Sequence, residues 1–316
     1  MGSGLWSCDV YTAAAHWRAA HGASAFAYND SGAQRVHQAL NPHGVTVRES
    51  RDSAEHPESV AIAVLLDVTG SMRHVPRALQ EKLPQLLGLL LRKEYVRDPQ
   101  IMFGAIGDAT CDRVPLQIGQ FESDNRMDDD LGRIVLEGGG GGQKTESYEL
   151  AMYFMARHTA IDCLERRGKR GYLFLIGDEM AYPRVKRAEV RNIIGEGLQA
   201  NIPLADITSE LTMMWDTYYI LPEGASYARD RGVLNFWRAL LGQNVIELAD
   251  LDAVCETIAV TIGLGEEAIG LSDGLADLAD VGSAAGPVVS KALAGLQAWR
   301  GMLLGPRPGL DGPFRL

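Results

Sequence analysis

The segment Asp67-Val-Thr-Gly-Ser71 places three oxygen-bearing side chains at alternate positions directly after an apolar run. Asp67, Thr69 and Ser71 can each turn an oxygen toward one point above the end of that run. Oxygen ligands without nitrogen or sulfur suit a hard cation such as magnesium or manganese. The spacing therefore predicts a divalent-metal site at residues 67–71.

Two further segments carry groups that suit the same ion. The glycine-rich loop 138–142 leads to Thr145 ahead of a helical pattern, and Asp178 directly follows the apolar run 171–177. In an open α/β sheet, ligands bind beyond the carboxyl ends of strands, near the point where the strand order reverses. We therefore expect the Thr145 hydroxyl and the Asp178 carboxylate to face the same crevice as Asp67.

Three more carboxylates lie near expected strand ends. Asp108 and Asp112 follow the apolar run 101–107, and Glu179 follows Asp178. We expect them to form an outer shell around the ion or a second acidic subsite. The alternative for such loop carboxylates is simple exposure to solvent.

The elements that would position these groups alternate between strand and helix patterns. The run 60–66 within the strand expected at 59–67 is continuously apolar, as in a parallel strand buried on both faces. Leucines at helical spacing over 75–91 predict an amphipathic helix that covers the sheet. Further strands are expected at 101–107, 115–121, 171–177, 217–221 and 244–248, and further helices at 9–21, 127–135, 147–163, 185–198, 204–215, 226–241, 252–262 and 287–304. This alternation predicts an α/β fold with a doubly wound, mostly parallel six-stranded sheet flanked by helices.

The same patterns divide the chain into three parts. Residues 58–263 carry the alternating strands and helices of the α/β domain. Residues 1–57 form an N-terminal extension of mixed composition, and residues 264–316 form a C-terminal helical tail that ends in proline and glycine.

The three site segments together resemble the metal-ion-dependent adhesion site (MIDAS) of von Willebrand factor type A (vWA) and integrin I-type domains. There, D-x-[ST]-x-S follows the first strand, a threonine precedes a helix, and an aspartate follows the fourth strand. The resemblance implies that Asp67 and Asp178 hold negative charge near the ion. It further implies that Ser71 ligates the ion directly and that Thr145 ligates it in one state of the site. Thr69 takes a place more often filled by serine and keeps the hydroxyl.

In that family the ion keeps an open coordination position that a carboxylate of a partner protein fills, and nothing is hydrolysed. The resemblance, which is to the prokaryotic intracellular type, implies a Mg²⁺-dependent protein-interaction module, with Mn²⁺ or Ca²⁺ as alternatives. The implied partner presents an acidic residue and is an AAA-type ATPase or another component of a multi-protein assembly. This sequence departs from the family where Gly177-Asp178-Glu179 replaces the usual Thr-Asp-Gly. Glu179 leaves the choice between magnesium and calcium open.

The strongest alternative is a haloacid-dehalogenase-like, magnesium-dependent phosphatase with Asp67 as the nucleophile that forms an aspartyl phosphate. Its motif D-x-D-x-T resembles the segment that begins at Asp67. The general acid of that motif would fall on Thr69, whose hydroxyl is not an acid at neutral pH. The second acidic residue expected four positions after Asp178 falls on Tyr182. A non-functional alternative is that Asp67 and Thr69 only cap the next helix.

The composition narrows the classes of function. Hydrophobic residues make up 46% of the 316 residues and charged residues 22%, which is typical of a folded globular protein. A net charge of −11 argues against nucleic acid as a partner, because that affinity depends on clustered lysine and arginine.

The four scattered cysteines show no CxxC spacing and indicate buried thiols in a reducing compartment. With no leader-like or membrane-spanning apolar run, a cytoplasmic location without membrane partners is expected.

Overall fold

The computed structural model describes residues 4–138 and 144–303, without the side chains of Ser71, Arg73 and 297–303. The strands are β1 Arg48–Ser50, β2 Ser59–Asp67, β3 Asp98–Ile106, β4 Leu116–Ile118, β5 Thr145–Glu146, β6 Thr159–Ile161, β7 Gly171–Ile176, β8 Met180–Ala181, β9 Arg184–Val185, β10 Ile202–Pro203, β11 Trp215–Pro222 and β12 Val245–Leu248. The α-helices are α1 Cys8–His21, α2 Ala27–Asp30, α3 Val75–Leu87, α4 Arg126–Gly132, α5 Tyr148–Arg157, α6 Asp162–Glu165, α7 Arg187–Glu189, α8 Leu204–Met214, α9 Arg231–Leu241, α10 Val254–Gly265, α11 Leu271–Asp280 and α12 Gly286–Leu303.

Six strands form the central sheet, in the order β12-β11-β7-β2-β3-β4. All neighbours are parallel except β4, which runs antiparallel to β3. From β2 the chain first moves outward through β3 to β4, and it then returns to β7 and continues in the opposite direction. The expected mostly parallel, six-stranded α/β sheet is confirmed, and its strand order reverses beside β2.

The central strand β2 is buried along its whole length. Ile62 and Val64 belong to the core that α3 and α10 cover, whereas Ala61 and Ala63 belong to the core on the side of α5 and α8. A strand with both faces covered needs an apolar side chain at every position, which explains the continuous apolar run. This burial fixes the carboxyl end of the strand, where Asp67 lies.

Helix α3 covers one face of the sheet as the leucine pattern predicts. Leu79, Leu83 and Leu86 are fully buried. The helix follows a 3-10 turn over Gly70–His74 and continues into a π-helical turn over Gly88–Arg92. The 3-10 turn is the segment that joins the metal-site motif to this helix.

The predicted helix 147–163 extends too far at its carboxyl end. Helix α5 ends at Arg157, and the following residues form β6, which pairs in parallel with β1. Thr159 and Ile161 are β-branched and favour a strand, and the pairing partner comes from the distant N-terminal extension. Tertiary pairing therefore overrides the local helical pattern, and the extension contributes a strand of its own.

The predicted helix 185–198 is confirmed only over residues 187–194, as helix α7 and a π-helical turn. Strand β9 pairs antiparallel with β10, and only the short helix α7 and a π-helical turn over Val190–Ile194 follow. Gly195 ends this turn in the left-handed conformation with φ 90°.

The predicted helix 226–241 begins later, at α9, because the Asp230 side chain caps it by accepting from the Gly232 amide.

The expectation of four buried thiols is wrong for two of them. Cys163 and Cys255 are buried, whereas Cys8 and Cys111 are exposed, and all four are free. Cys8 begins the surface helix α1, and Cys111 lies in the loop after β3.

Between residues 4 and 303, leaving out 139–143, no helix is both long and apolar enough to span a membrane.

The C-terminal tail packs against α10, and its helix α12 also contacts strand β12 of the sheet. Helix α11, which the sequence analysis did not predict, lies against α10 and α12. Tyr95, near the end of the segment that leads to β3, donates a 2.9 Å hydrogen bond to Asp277 on α11. The division of the chain at residue 263 stays a prediction.

Strand pairing at the sheet edge supplies the first testable prediction. A Cβ on Gly104 in β3 would lie 2.5 Å from the Gln117 carbonyl oxygen in β4. Because that atom is backbone, we expect Gly104→Ala to lower the free energy of unfolding by about 1–3 kcal/mol in urea titration. Gly197→Ala is the matched control, since no described atom lies within 4 Å of its Cβ position. Equal stability of the two variants would contradict the β3–β4 pairing.

Candidate metal centre

The Asp67 carboxylate at the end of β2 is fully buried. Its Oδ1 accepts hydrogen bonds from the Thr69 backbone amide at 2.8 Å and from the Thr69 hydroxyl at 2.7 Å. Its Oδ2 accepts a 3.0 Å hydrogen bond from the Tyr148 hydroxyl. Both oxygens therefore have fixed directions, set by the turn after β2 and by the first residue of α5.

Thr69 does not act as a simple helix cap. It precedes the 3-10 turn Gly70–His74, yet its side chain makes no capping hydrogen bond to the described part of that turn. Its hydroxyl donates back to Asp67 instead. This geometry counts against the alternative in which the motif only starts a helix. The side chain of Ser71, the third predicted ligand of this segment, lies outside the described residues.

Asp178 lies at the carboxyl end of β7, beside Asp67. Its Oδ2 accepts a 2.9 Å hydrogen bond from the Tyr227 amide. Burial raises the pKa of the Asp67 carboxyl to about 7, and the negative charge of Asp178 adds to the rise. Hydrogen bonds from Thr69 act in the opposite direction. The two carboxylates thus lie close enough for their negative charges to repel each other, at the point where the strand order reverses.

Thr145 reaches the same edge of the sheet through a short parallel pairing. In β5 it lies opposite Met180 of β8, two residues beyond Asp178, and the Met180 amide donates to the Lys144 carbonyl at 3.0 Å. The glycine-rich loop starts beside the first segment, because the Gly138 amide donates to the Val68 carbonyl at 3.2 Å. The predicted hydroxyl is therefore anchored next to the Asp178 segment. Residues 139–143 of that loop lie outside the described residues.

The predicted outer residues form a tight loop after β3. Asp108 is fully buried and accepts hydrogen bonds from Thr110 at 2.8 Å and from the Tyr182 hydroxyl at 3.0 Å. Asp112 accepts from the Asp108 amide at 2.7 Å. Burial raises the pKa of Asp112, and the charge of Glu137 adds to the rise. Asp108 and Asp112 thus contribute negative charge beside the site while their oxygens serve the loop.

Glu146 is an acidic site residue that the sequence analysis missed. It is only 1% exposed, and its Oε2 has no hydrogen-bond partner among the described residues. Burial raises the pKa of Glu146 to about 10, and the charges of Asp67 and Glu179 add to the rise. Burial likewise raises the pKa of Glu179 to about 8, again with a contribution from Asp67. Adjacency to Thr145 was the one signal in the sequence.

This chemistry suits a hard divalent cation. Buried carboxylates repel one another and lack water, so a cation or bound protons must balance their charge. Over the described part of the chain, no group of three or more His, Cys, Asp or Glu side chains has the geometry to hold a metal ion. An ion at Asp67 and Asp178 would therefore take its remaining ligands from hydroxyls and water, as Mg²⁺ readily does.

Comparisons with known proteins add little to this geometry. No protein-family model matches the chain, and no curated protein matches it. Among solved structures, the pilus adhesin SpaC from Lactobacillus rhamnosus GG, in an open conformation, is similar with 8% identity and a TM-score of 0.46, over 69% of this chain and 31% of that chain. Proximal thread matrix protein 1 from the mussel byssus is similar with 9% identity and a TM-score of 0.40, over 72% of this chain and 47% of that chain.

The chain thus spans less than half the length of either protein. One is named a pilus adhesin and the other a thread matrix protein. Likeness at these TM-scores carries no argument about the site or its partner.

The raised carboxyl pKa values predict how stability depends on pH. A carboxyl with a raised pKa holds its proton more tightly in the folded state, so its contribution is fully present below the ordinary carboxyl pKa of about 4. It is lost as the pH rises through about 7 for Asp67, about 8 for Glu179 and about 10 for Glu146. We expect the melting temperature of the metal-free protein to fall between about pH 6 and about pH 9.

Added Mg²⁺ should reduce that fall, because the ion takes over the balance of charge from the protons. Glu146→Gln is the matched variant: without this carboxyl the dependence on pH should be shallower. A melting temperature that stays constant or rises over the same range would contradict the buried acidic cluster.

Proposed function

We propose that the chain is a vWA-domain protein of the intracellular, bacterial type. In this proposal a divalent ion, Mg²⁺ with Mn²⁺ or Ca²⁺ as alternatives, binds at Asp67, Thr69, Ser71, Thr145 and Asp178. A partner protein supplies a carboxylate to the open position of the ion. The observation that carries the proposal is the meeting of three separate segments at one edge of the sheet. They are the end of β2, strand β5 ahead of α5, and the end of β7.

The strand order supports this reading of the fold. The vWA resemblance implies a doubly wound sheet with helices on both faces, and the order β12-β11-β7-β2-β3-β4 reverses beside the strand that carries Asp67. Hydrophobic cores lie on both faces of that sheet. Ligand sites of open α/β sheets lie at such a reversal.

Electrostatics explain why the ion would be required for an acidic partner. Asp67, Asp178 and Glu146 are buried, and the chain as a whole carries a net charge of −11. Without a cation this surface repels a carboxylate. A divalent ion reverses the sign of the potential at one point and offers a coordination position, so binding would be metal-dependent.

The phosphatase alternative has less support from the geometry. Asp67 would have to attack a phosphoryl group, yet it is fully buried and both its oxygens already accept hydrogen bonds. Thr69, at the position of the general acid, donates a hydrogen bond from its hydroxyl to Asp67. Tyr182, at the position of the second acidic residue, donates to Asp108. A non-catalytic interaction module therefore fits these residues better.

The wider role follows from the resemblance alone. The proposed partner is a component of a cytoplasmic multi-protein assembly, with an AAA-type ATPase as the leading candidate. Nucleic acid and membrane surfaces are not proposed as partners, in line with the net charge of −11.

Metal titration tests the proposal. Asp67→Asn removes one negative charge and keeps an oxygen that accepts from Thr69. In isothermal titration we expect the unmodified protein to bind Mg²⁺, Mn²⁺ or Ca²⁺. The variant should lose at least about 100-fold in affinity, because changes one shell further out already cost about 10- to 100-fold. With Mn²⁺ bound, acetate should lower the water-proton relaxation rate by replacing a coordinated water.

Asp216→Asn is the matched control, because this carboxylate lies at the amino end of β11 and pairs with Arg170. It should leave metal affinity unchanged. Equal metal affinity of the unmodified protein and Asp67→Asn would contradict the proposed site. Metal-dependent hydrolysis of an aryl phosphate, abolished by Asp67→Asn, would favour the phosphatase instead.

A further inference from the structure

Position 177 has no room for a side chain. An ideal Cβ built on Gly177 would lie 1.7 Å from the Tyr148 hydroxyl oxygen, 2.8 Å from the Tyr148 Cζ and 3.1 Å from the Asp67 Cβ. Distances below 3.0 Å do not occur between a real Cβ and a fixed neighbour. The tyrosine hydroxyl therefore occupies the space that a residue-177 side chain would fill, directly beside Asp67.

Tyr148 is held rigidly in that position. It is fully buried, and its ring packs edge-on against Tyr219 and Trp237, with centroids 5.9 and 5.2 Å away. Tyr219 and Trp237 stack on each other at 4.0 Å. A ring enclosed in this way has little rotational freedom, so its hydroxyl is a preorganised donor.

The same aromatic group supports the second carboxylate segment. The Tyr219 hydroxyl and the Trp237 indole N–H both donate to the Glu179 carbonyl, at 3.0 and 2.8 Å. Glu179 directly follows Asp178, so the cluster fixes the backbone on one side of the site. Through Tyr148 it fixes the Asp67 carboxylate on the other side. One packed cluster thus sets the relative positions of two of the proposed metal-binding segments.

This arrangement gives a reason for one departure from the vWA pattern. The usual residue at this position of the pattern is threonine, whose Cβ would lie in the space that the Tyr148 hydroxyl fills. Here the hydroxyl comes from α5, and the backbone at 177 has to be glycine to admit it. The loss of one side chain and the gain of another concern the same small volume.

We propose that Tyr148 is a positioning residue of the metal site, whose hydroxyl orients the Asp67 carboxylate in place of the side chain that Gly177 lacks. This inference rests on the proposed metal site. Without the hydroxyl, Asp67 Oδ2 would be buried without a described donor and free to turn away from the ion.

Tyr148→Phe tests the role of the hydroxyl. Phenylalanine keeps the ring and its packing, so the fold is retained while the hydrogen bond to Asp67 is lost. We expect Mn²⁺ affinity in isothermal titration to fall by about 10- to 100-fold, the range typical of residues that orient a metal ligand. Tyr153→Phe is the matched control, because this hydroxyl on the same helix donates to Glu196 away from the site. An unchanged or higher affinity of Tyr148→Phe would overturn the proposal.

A rescue experiment separates positioning from general packing. Tyr148→Leu removes both the hydroxyl and the ring atom within 2.8 Å of the residue-177 Cβ position. Adding Gly177→Thr returns a hydroxyl to that region from the segment that follows β7. The double variant should bind Mn²⁺ more tightly than Tyr148→Leu alone, and equal affinity of the two would count against the proposal. If Asp67→Asn retains full affinity, the proposed metal site itself fails, which Tyr148→Phe alone would not show.

Discussion

Asp67 ends a strand that is buried along its whole length, and its carboxylate has no access to solvent. Burying a carboxylate costs free energy unless hydrogen bonds and an opposite charge compensate for it. Thr69 and Tyr148 supply three hydrogen bonds, but Asp178 adds negative charge beside it. The turn after β2, the start of α5 and the end of β7 are all arranged around this one side chain, and the missing compensation is positive charge.

The sheet makes such a placement affordable. Apolar side chains on both faces of β2 pack into two cores, and these fix the strand and the position at which it ends. Neighbouring parallel strands end at the same edge, so the loops that follow them meet without long connections. The aromatic group of Tyr148, Tyr219 and Trp237 then links α5, β11 and α9 beneath that edge. The packing of these surroundings thus offsets the free energy that the burial of Asp67 costs.

Local patterns were sufficient to predict the parts of this arrangement that depend on one segment at a time. The apolar run of β2 and the leucine spacing of α3 follow from burial on two faces and on one face, respectively. The rule that ligands gather at strand ends was sufficient to predict that Thr145 and Asp178 lie at the same edge of the sheet as Asp67. The finer vWA assignment, the ion and the partner stay predictions.

Features that depend on two distant segments could not be predicted in the same way. The β1–β6 pairing placed a short strand in the last third of a predicted helix, because Thr159 meets Arg48 only in the folded chain. Likewise, Gly177 looked like a plain departure from a motif. The reason for a glycine here is the Tyr148 hydroxyl, which comes 29 positions earlier in the sequence. A Cβ on residue 177 would lie 1.7 Å from that hydroxyl oxygen. Glu146 was overlooked because its burial depends on the pairing of β5 with β8, a distant segment that no local pattern reveals.

The position of a bound divalent ion is the most direct test of the proposed metal site. Anomalous X-ray diffraction from crystals soaked with Mn²⁺ would locate it independently of affinity. We expect one strong anomalous peak between the ends of β2 and β7, at about 2.1 Å from a Thr69 or Ser71 hydroxyl oxygen. A peak confined to Asp108 and Asp112, or the absence of any peak beside Asp67 in well-ordered crystals, would contradict it.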